Sequence, residues 1–335
     1  MRQAPSAARP VVVVPDDIND SFAQSPELAR LRAVADVQLH PTRPADESAL
    51  ITRLRSADVV LSFRPAFTRF PAPVLRAAEK LRMVCISGTG VEDVDVAEAT
   101  ARGVAVSNVV GSSNRAVAEM CLALMLAVAR RVAVQDRAIR RGQWAAQQGI
   151  ELGGRTLGLI GLSGISSELA PLGQALGMDV ISWSRNNDPA RARAVGATAV
   201  EFDEVLARAH VISLHVRLND ATRALIGAPQ FARMQPGAIF INTARGGIVN
   251  EAALLDALRS GHLGGAGLDV FAAEPLPAGH PLLAMDNVVM TPVAGWNTSD
   301  ASHRMICRSI DNVIGFLSGK PINVVNPEAL GAAAR

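Results

Sequence analysis

The residues of this sequence able to do chemistry fall into a nucleotide-type turn, a guanidinium and a few carboxylates. The string Gly161-Leu-Ser163-Gly164-Ile165-Ser166 follows an apolar run at 157–160 and opens a helical pattern. In that setting a glycine-rich turn holds a pyrophosphate on backbone N–H groups at a helix start. Only Gly161 stands in the Gly-x-Gly-x-x-Gly register, because Ser163 and Ser166 fill the other two places, with Gly164 beside the middle one. A Cβ at Ser163 crowds the closest backbone approach to a phosphate, and the alternative reading is a strand–helix turn whose glycines serve packing. The next apolar run, 179–183, ends in Ser184 and Arg185 instead of a carboxylate. A carboxylate there accepts from a ribose 2′-hydroxyl and repels a 2′-phosphate, so this pair favours NADP over NAD if a dinucleotide binds. The bland alternative is a solvated loop arginine.

Three later segments add to the turn. Asn242-Thr243-Ala244-Arg245-Gly246 follows a β-branched run, Gly267-Leu-Asp269-Val-Phe271 leads to Glu274-Pro275, and Thr291-Pro292-Val293-Ala294-Gly295 follows another strand-like run. Proton-handling side chains are otherwise scarce: the chain has no tyrosine, six histidines and three cysteines, Cys85, Cys121 and Cys307. Any mechanism that needs a tyrosine acid is excluded. The cysteines form no Cys-x-x-Cys pair and read as reduced, buried thiols, and no His/Cys/carboxylate cluster has metal-ligand spacing.

Positioning these groups requires a regular scaffold, and short β-branched runs alternate with amphipathic stretches along nearly the whole chain. Strands are expected at 11–14, 59–62, 83–86, 157–160, 180–183, 211–215, 238–242 and 288–291. Helices are expected at 26–35, 47–55, 73–78, 167–176, 202–208 and 251–260. Such alternation predicts an α/β protein with doubly wound parallel sheets covered by helices on both faces. The 335 residues allow two or three domains. The break is placed near 105, giving one domain of 1–105 plus 297–335 and a second of 106–296. The stretch 115–132 contains VAEMCLALMLAVA, apolar nearly all round, and is expected to be buried between domains or against another subunit.

Hydrophobic residues make up 49% and charged residues 19%, and 33 Lys+Arg against 31 Asp+Glu leave a net charge of +2. That balance gives no electrostatic case for nucleic acid or an acidic membrane as partner. The N-terminal residues lack the apolar core of a signal peptide. The longest uncharged apolar stretch, 120–129, falls short of the roughly 20 residues that span a bilayer. The expected location is cytoplasmic.

With these motifs in order, the chain resembles the D-isomer-specific 2-hydroxyacid dehydrogenases. The likeness runs from Gly88-Thr89-Gly90 with Asp95, through Val117-Ala118-Glu119 and Leu214-His215, past Glu274-Pro275. It implies a flavodoxin-like substrate domain and a Rossmann dinucleotide-binding domain, an NAD(P)-dependent oxidoreductase, a small carboxylate-bearing substrate and a homodimer. By the same resemblance Arg245 binds the substrate carboxylate and polarises the carbonyl, Glu274 bonds and tunes a catalytic histidine, and the amides of Thr89 and Gly90 hold the carboxylate. Gly161, Ser163, Gly164, Ile165, Ser184, Arg185, His215, Val216, Thr222, Thr243, Ala244 and Asp269 match positions around the cofactor. The alternative for Arg245 and Glu274 is a structural ion pair. Arg64 lies among the loop residues expected to choose the substrate.

One position departs from that pattern. The family reads Thr-Pro-His-x-Gly where this chain reads Thr-Pro-Val-Ala-Gly, and its histidine protonates the carbonyl oxygen as hydride arrives. Val293 can neither give nor take a proton, and general acid–base catalysis is typically worth roughly 10²- to 10⁴-fold. The six histidines, His40, His210, His215, His262, His280 and His303, read as packing or surface groups, with His303 the one a helix could aim inward. Three readings remain open. The chain reduces a substrate that needs no histidine acid, such as an iminium, or uses Glu274, partly buried beside Val293, to deliver the proton. Alternatively the fold serves a non-redox reaction, or it is a catalytically silent binding homologue.

Overall fold

A computed structural model describes residues 9–63 and 68–332; Arg64 lies outside the described residues. The chain forms two compact units, one running to Ser113 and resuming at Ser299, the other Asn114–Thr298.

The first unit alternates β1 (Val11–Val14), α1 (Leu28–Val34), β2 (Asp36–Leu39), α2 (Glu47–Leu54), β3 (Val59–Phe63), α3 (Ala72–Ala77), β4 (Met83–Ser87), α4 (Val96–Ala101) and β5 (Ala105–Asn108). The sheet is parallel in the order β2-β1-β3-β4-β5. Strands β3 and β4 are buried along their whole length, as strands covered on both faces must be.

The second unit opens with α5 (Asn114–Ala129) and α6 (Val132–Arg140). It continues through β6 (Thr156–Ile160), α7 (Gly164–Ala175), β7 (Asp179–Trp183), α8 (Pro189–Ala194), β8 (Thr198–Ala199), α9 (Phe202–Arg208), β9 (Val211–Leu214), α10 (Ala228–Arg233), β10 (Ala238–Asn242), α11 (Glu251–Arg259), β11 (Leu263–Leu268) and β12 (Val288–Met290). Its seven strands are parallel in the order β12-β11-β10-β9-β6-β7-β8. The buried side of α5, with Ala118, Cys121, Leu124, Met125 and Val128, joins the core beneath this sheet with Leu157, Leu159, Ile239 and Ile241. The buried side of α5 thus packs within its own unit, while Leu126 on its other side is 36% exposed.

Helices α12 (Ser299–Leu317) and α13 (Glu328–Ala332) complete the first unit. The Cys85 thiol of β4 lies 3.7 Å from the Ser309 carbonyl of α12, and Asn326 accepts from the Val106 amide of β5 at 2.7 Å. Among the described residues no helix is long and apolar enough to cross a membrane.

Candidate active site

In the second unit, strand order reverses between β6 and β9, which pair with each other while their chain continuations leave in opposite directions. Open parallel sheets bind ligands at the carboxyl ends of strands where order reverses. Because every strand is parallel, the residues after β6, β9, β10, β11 and β12 all emerge along that edge, which gathers Gly161, His215, Thr243 to Arg245, Asp269 and Val293.

The turn after β6 is built for close approach. Gly161 has φ +102°, and a Cβ there would stand 2.8 Å from the His215 carbonyl carbon and Val216 Cγ1. Ser163 is the N-cap of α7, and with Ser166 it forms a reciprocal box: the Ser163 amide donates to Ser166 Oγ at 2.6 Å and the Ser166 amide to Ser163 Oγ at 3.3 Å. Ser167 Oγ adds a bond to the Ser163 carbonyl at 2.8 Å. A Cβ on Gly164 would overlap the Asn114 side-chain amide. The amides of Gly164 and Ile165 have no acceptor among the described residues, which leaves two first-turn donors for an anion. The turn thus fits a pyrophosphate through those two amides, while the serines satisfy one another.

Ser184 is half-buried and Arg185 exposed at the end of β7. A third group, which sequence reading missed, stands nearby: Arg191 of α8 donates to the Leu162 carbonyl of the turn at 2.7 Å. Its only signal was the basic alternation Pro-Ala-Arg-Ala-Arg after the helix start.

His215 is buried, its amide donating to the Ile160 carbonyl at 2.8 Å, and neither ring nitrogen has a partner among the described residues. Burial pushes its pKa down to about 3, so the ring is neutral. Both nitrogens are enclosed by protein, which leaves the backbone as the part of this residue able to meet a ligand. Thr222 knits its own loop, its hydroxyl donating to the Arg217 carbonyl at 2.5 Å and accepting from the Asn219 amide at 2.8 Å. The hydroxyl of Thr243 sits 3.1 Å from the Cys121 thiol, whose pKa burial raises to about 11.

After β10, buried Asn242 shapes the arginine segment by accepting from the Ala244 amide at 3.0 Å and donating to the Arg245 carbonyl at 3.1 Å. The half-buried Arg245 donates to the Ala244 carbonyl at 2.7 Å. Gly246 brings the Arg245 segment against the Phe271 turn, since a Cβ there would overlap the Phe271 carbonyl group. Glu274 closes the Phe271 turn, its Oε1 accepting from the Phe271 amide at 2.9 Å. Contrary to the expectation of partial burial beside Val293, Glu274 is exposed, because the turn it closes projects into solvent.

Asp269, at the end of β11, is 3% exposed and clamps the loop after β12. It accepts from Thr291 Oγ1 at 2.5 Å, the Ala294 amide at 2.7 Å and the Gly295 amide at 2.9 Å. Burial raises its pKa, and these bonds oppose the rise. The clamp holds Val293 at φ +56°, with its amide on the Asp269 carbonyl at 3.0 Å. A β-branched residue is an outlier in that left-handed region, where histidine and asparagine are several-fold enriched.

The remaining histidines are placed as follows. His280 accepts from the Leu282 amide at 3.3 Å and meets Glu251 at 3.1 Å. His262 bonds the Phe231 carbonyl at 2.9 Å, and His210 accepts from the Thr156 amide at 3.1 Å. His262 and His40 are half-buried, less open than a surface reading suggests. In the first unit, His303 is exposed, 3.5 Å from the Cys307 thiol.

Also in that unit, the loop after β4 carries Thr89 and Gly90. The Thr89 carbonyl accepts from Asn108 Nδ2 at 2.6 Å, while the amides of Thr89 and Gly90 have no acceptor among the described residues. A buried carboxylate that sequence reading did not single out, Asp16, follows β1 and accepts from Ser62 Oγ at 2.8 Å, burial raising its pKa.

Comparison with known proteins agrees with this architecture. The model for the D-isomer-specific 2-hydroxyacid dehydrogenase NAD-binding domain matches residues 122–295. A glyoxylate reductase of Aeropyrum pernix is 37% identical over 298 residues, 86% of this chain and 88% of its own. A D-3-phosphoglycerate dehydrogenase of Archaeoglobus fulgidus is 39% identical over 262 residues, 77% of this chain, which spans 50% of that longer protein. Among solved structures, an acyclic imino acid reductase in complex with NADPH and D-arginine superposes with a TM-score of 0.84 at 26% identity, covering 94% of this chain and 99% of its own. The parallel sheets, the clustered Asn-Thr-Ala-Arg-Gly and Glu-Pro segments and these matches together make the chain a member of the D-isomer-specific 2-hydroxyacid dehydrogenase family.

Proposed function

We propose that the protein is an NAD(P)-dependent oxidoreductase acting on a small carboxylate whose neighbouring carbon bears a keto, hydroxy or imine group, with acid–base chemistry unlike that of its histidine-bearing relatives. The observation that carries this reading is the closure of the Arg245 segment on the Phe271–Glu274 turn at Gly246, on the sheet edge that also holds the Gly161 turn. Arg245 supplies a guanidinium for the carboxylate; in the first unit the amides of Thr89 and Gly90 are neutral donors of a kind that also suits a carboxylate. The bound dinucleotide supplies or takes a hydride. The Gly164 and Ile165 amides serve its pyrophosphate, and Ser184, Arg185 and Arg191 favour a 2′-phosphate, hence NADP. An imine among the candidate groups is supported by the imino acid reductase of like fold.

Titration with NADPH and NADH, followed by the fluorescence of Trp183 and Trp296, tests the reading: binding of NADPH ahead of NADH is expected, and binding of neither overturns it. Val293→His should then raise 2-hydroxyacid dehydrogenase activity by about 10²-fold or more. One observation favours a non-redox or silent role instead, namely that Ser163 and Ser166 occupy one another's amides.

A homodimer goes with this reading. Helix α6 carries exposed Val132 at 53% and Ile139 at 56%, and in the exposed stretch that follows it Trp144 is 90% exposed. Exposed apolar groups so concentrated mark an interaction surface. Trp144→Ser should shift the sedimentation coefficient from dimer to monomer. A reducing, cytoplasmic setting suits the three free cysteines.

A further inference from the structure

Reducing a carbonyl sends hydride to carbon and a proton to oxygen, so a carbonyl reductase needs a donor poised at that oxygen. In the second unit the groups able to give one are committed elsewhere. Asp269 accepts three hydrogen bonds from the loop that carries Val293. Glu274 is exposed and holds the Phe271 amide. His280, His262 and His210 bond Glu251, the Phe231 carbonyl and the Thr156 amide, and His215 is enclosed. The chain has no tyrosine, and its lysines, Lys80 and Lys320, belong to the first unit. At the position itself stands a β-branched residue held in left-handed backbone, and strain of that kind gathers at functional sites.

We infer that the reacting bond of the substrate is a cationic C=N, an iminium carbon next to a carboxylate, and that Val293 is a specificity-determining residue for it. This rests on the oxidoreductase reading above. The step balances without an acid. Hydride, supplied by NAD(P)H, brings its electron pair to the iminium carbon, and the C–H bond forms as the C=N π bond breaks. The released pair settles on nitrogen, which passes from cation to neutral amine, and no proton moves. Valine also removes a repulsion, because an imidazolium at 293 would oppose a cationic substrate. The product is an amino acid or its N-substituted form, and the reaction that supplies the substrate condenses an amine with a 2-oxo acid.

The test begins with binding. N-methylpicolinate, a stable planar C=N⁺ beside a carboxylate, and oxamate, a mimic of a 2-oxo acid, are titrated against the NADPH-saturated protein by tryptophan fluorescence and thermal shift. N-methylpicolinate should bind at least about tenfold tighter, and Val293→His should reverse the order. NADPH oxidation is then followed with pyruvate alone and with pyruvate plus methylamine. The amine-containing mixture should react about a hundredfold faster or more, the scale of a missing general acid. If NADPH and NADH both fail to bind, the oxidoreductase reading falls and this inference with it. If NADPH binds but oxamate is preferred, or pyruvate alone is reduced as fast as the mixture, only the iminium inference is overturned.

Discussion

The turn at 161–166 and the loop at 291–296 both lie at the carboxyl edge of the second sheet, and both depart from their family's pattern by side-chain substitution. They absorb the change differently. In the turn, the replacing serines enter the hydrogen bonding themselves, so the amides of Ser163 and Ser166 are satisfied by side chains. In the loop, the polar work is done by Asp269 from the neighbouring strand and by backbone groups, so Val293 contributes no polar bond from its side chain. A substitution at 293 changes the chemistry and leaves the frame, whereas one in the turn changes the frame itself.

If that contrast holds, removing the clamp should have the largest effect. Asp269→Ala strands the Ala294 and Gly295 amides and should lower unfolding free energy by about 3 kcal/mol or more in urea titrations. A loss under 1 kcal/mol would mean that the loop holds its own shape.

Next comes the buried ring beneath the turn. The His215 pKa is depressed to about 3 from 6.5, so the folded state binds its proton less readily than the unfolded chain. Its stabilising contribution is complete above pH 6.5 and is lost as the pH falls toward 3. From pH 6.5 to 5 the decline should be about 2 kcal/mol, and His215→Leu should flatten the stability–pH profile there. An unchanged profile would show that the ring finds a partner in solution.

A smaller gain is expected at the strained position. Val293→Asn should raise stability by about 1 kcal/mol, read as an increased Tm, since asparagine tolerates the left-handed backbone. A decrease would place the valine methyls in a packing role. Last, Ser166→Ala should cost about 1 kcal/mol of helix stability while releasing the Ser163 amide, so NADPH should bind at least as tightly as before. Binding weakened tenfold would make the serine box part of the phosphate seat.

Much of the scaffold is legible in the sequence because buried parallel strands demand β-branched runs, and those at 11–14 and 238–242 coincide with β1 and β10. Four strands, β2, β5, β8 and β11, are not named from the sequence, and two of them escape for opposite reasons. Strand β2, Asp36–Leu39, is a half-exposed edge whose polar residues mask it. Strand β11 reads Leu-Gly-Gly-Ala-Gly-Leu, a poor strand by propensity. Its glycines answer to a helix: a Cβ on Gly267 would lie 2.7 Å from Leu124 Cβ, and one on Gly265 2.7 Å from Val128 Cγ1, so α5 rests on bare backbone. The start of α7 at Gly164 lies earlier than the apolar pattern suggests, because Ser163 caps it. In the site, residue types announced Arg245, Glu274 and the anomaly at Val293. The exposure of Glu274, the reach of Arg191 to the turn and the enclosure of His215 depend on chain crossings that no local pattern encodes.

The return of the chain to its first unit sets an order of assembly. Strand β4 packs against α12, and the Val106 amide of β5 finds its acceptor in Asn326. These partners are translated only after the whole of Asn114–Thr298. During synthesis the continuous second unit therefore has all its strands in hand while the first, though earlier in sequence, still lacks a helix over its sheet. The vectorial rule that N-terminal domains finish first is inverted here. The earliest-made strands are the last to be sealed, and for that interval they are the part of the nascent chain with most need of protection from aggregation.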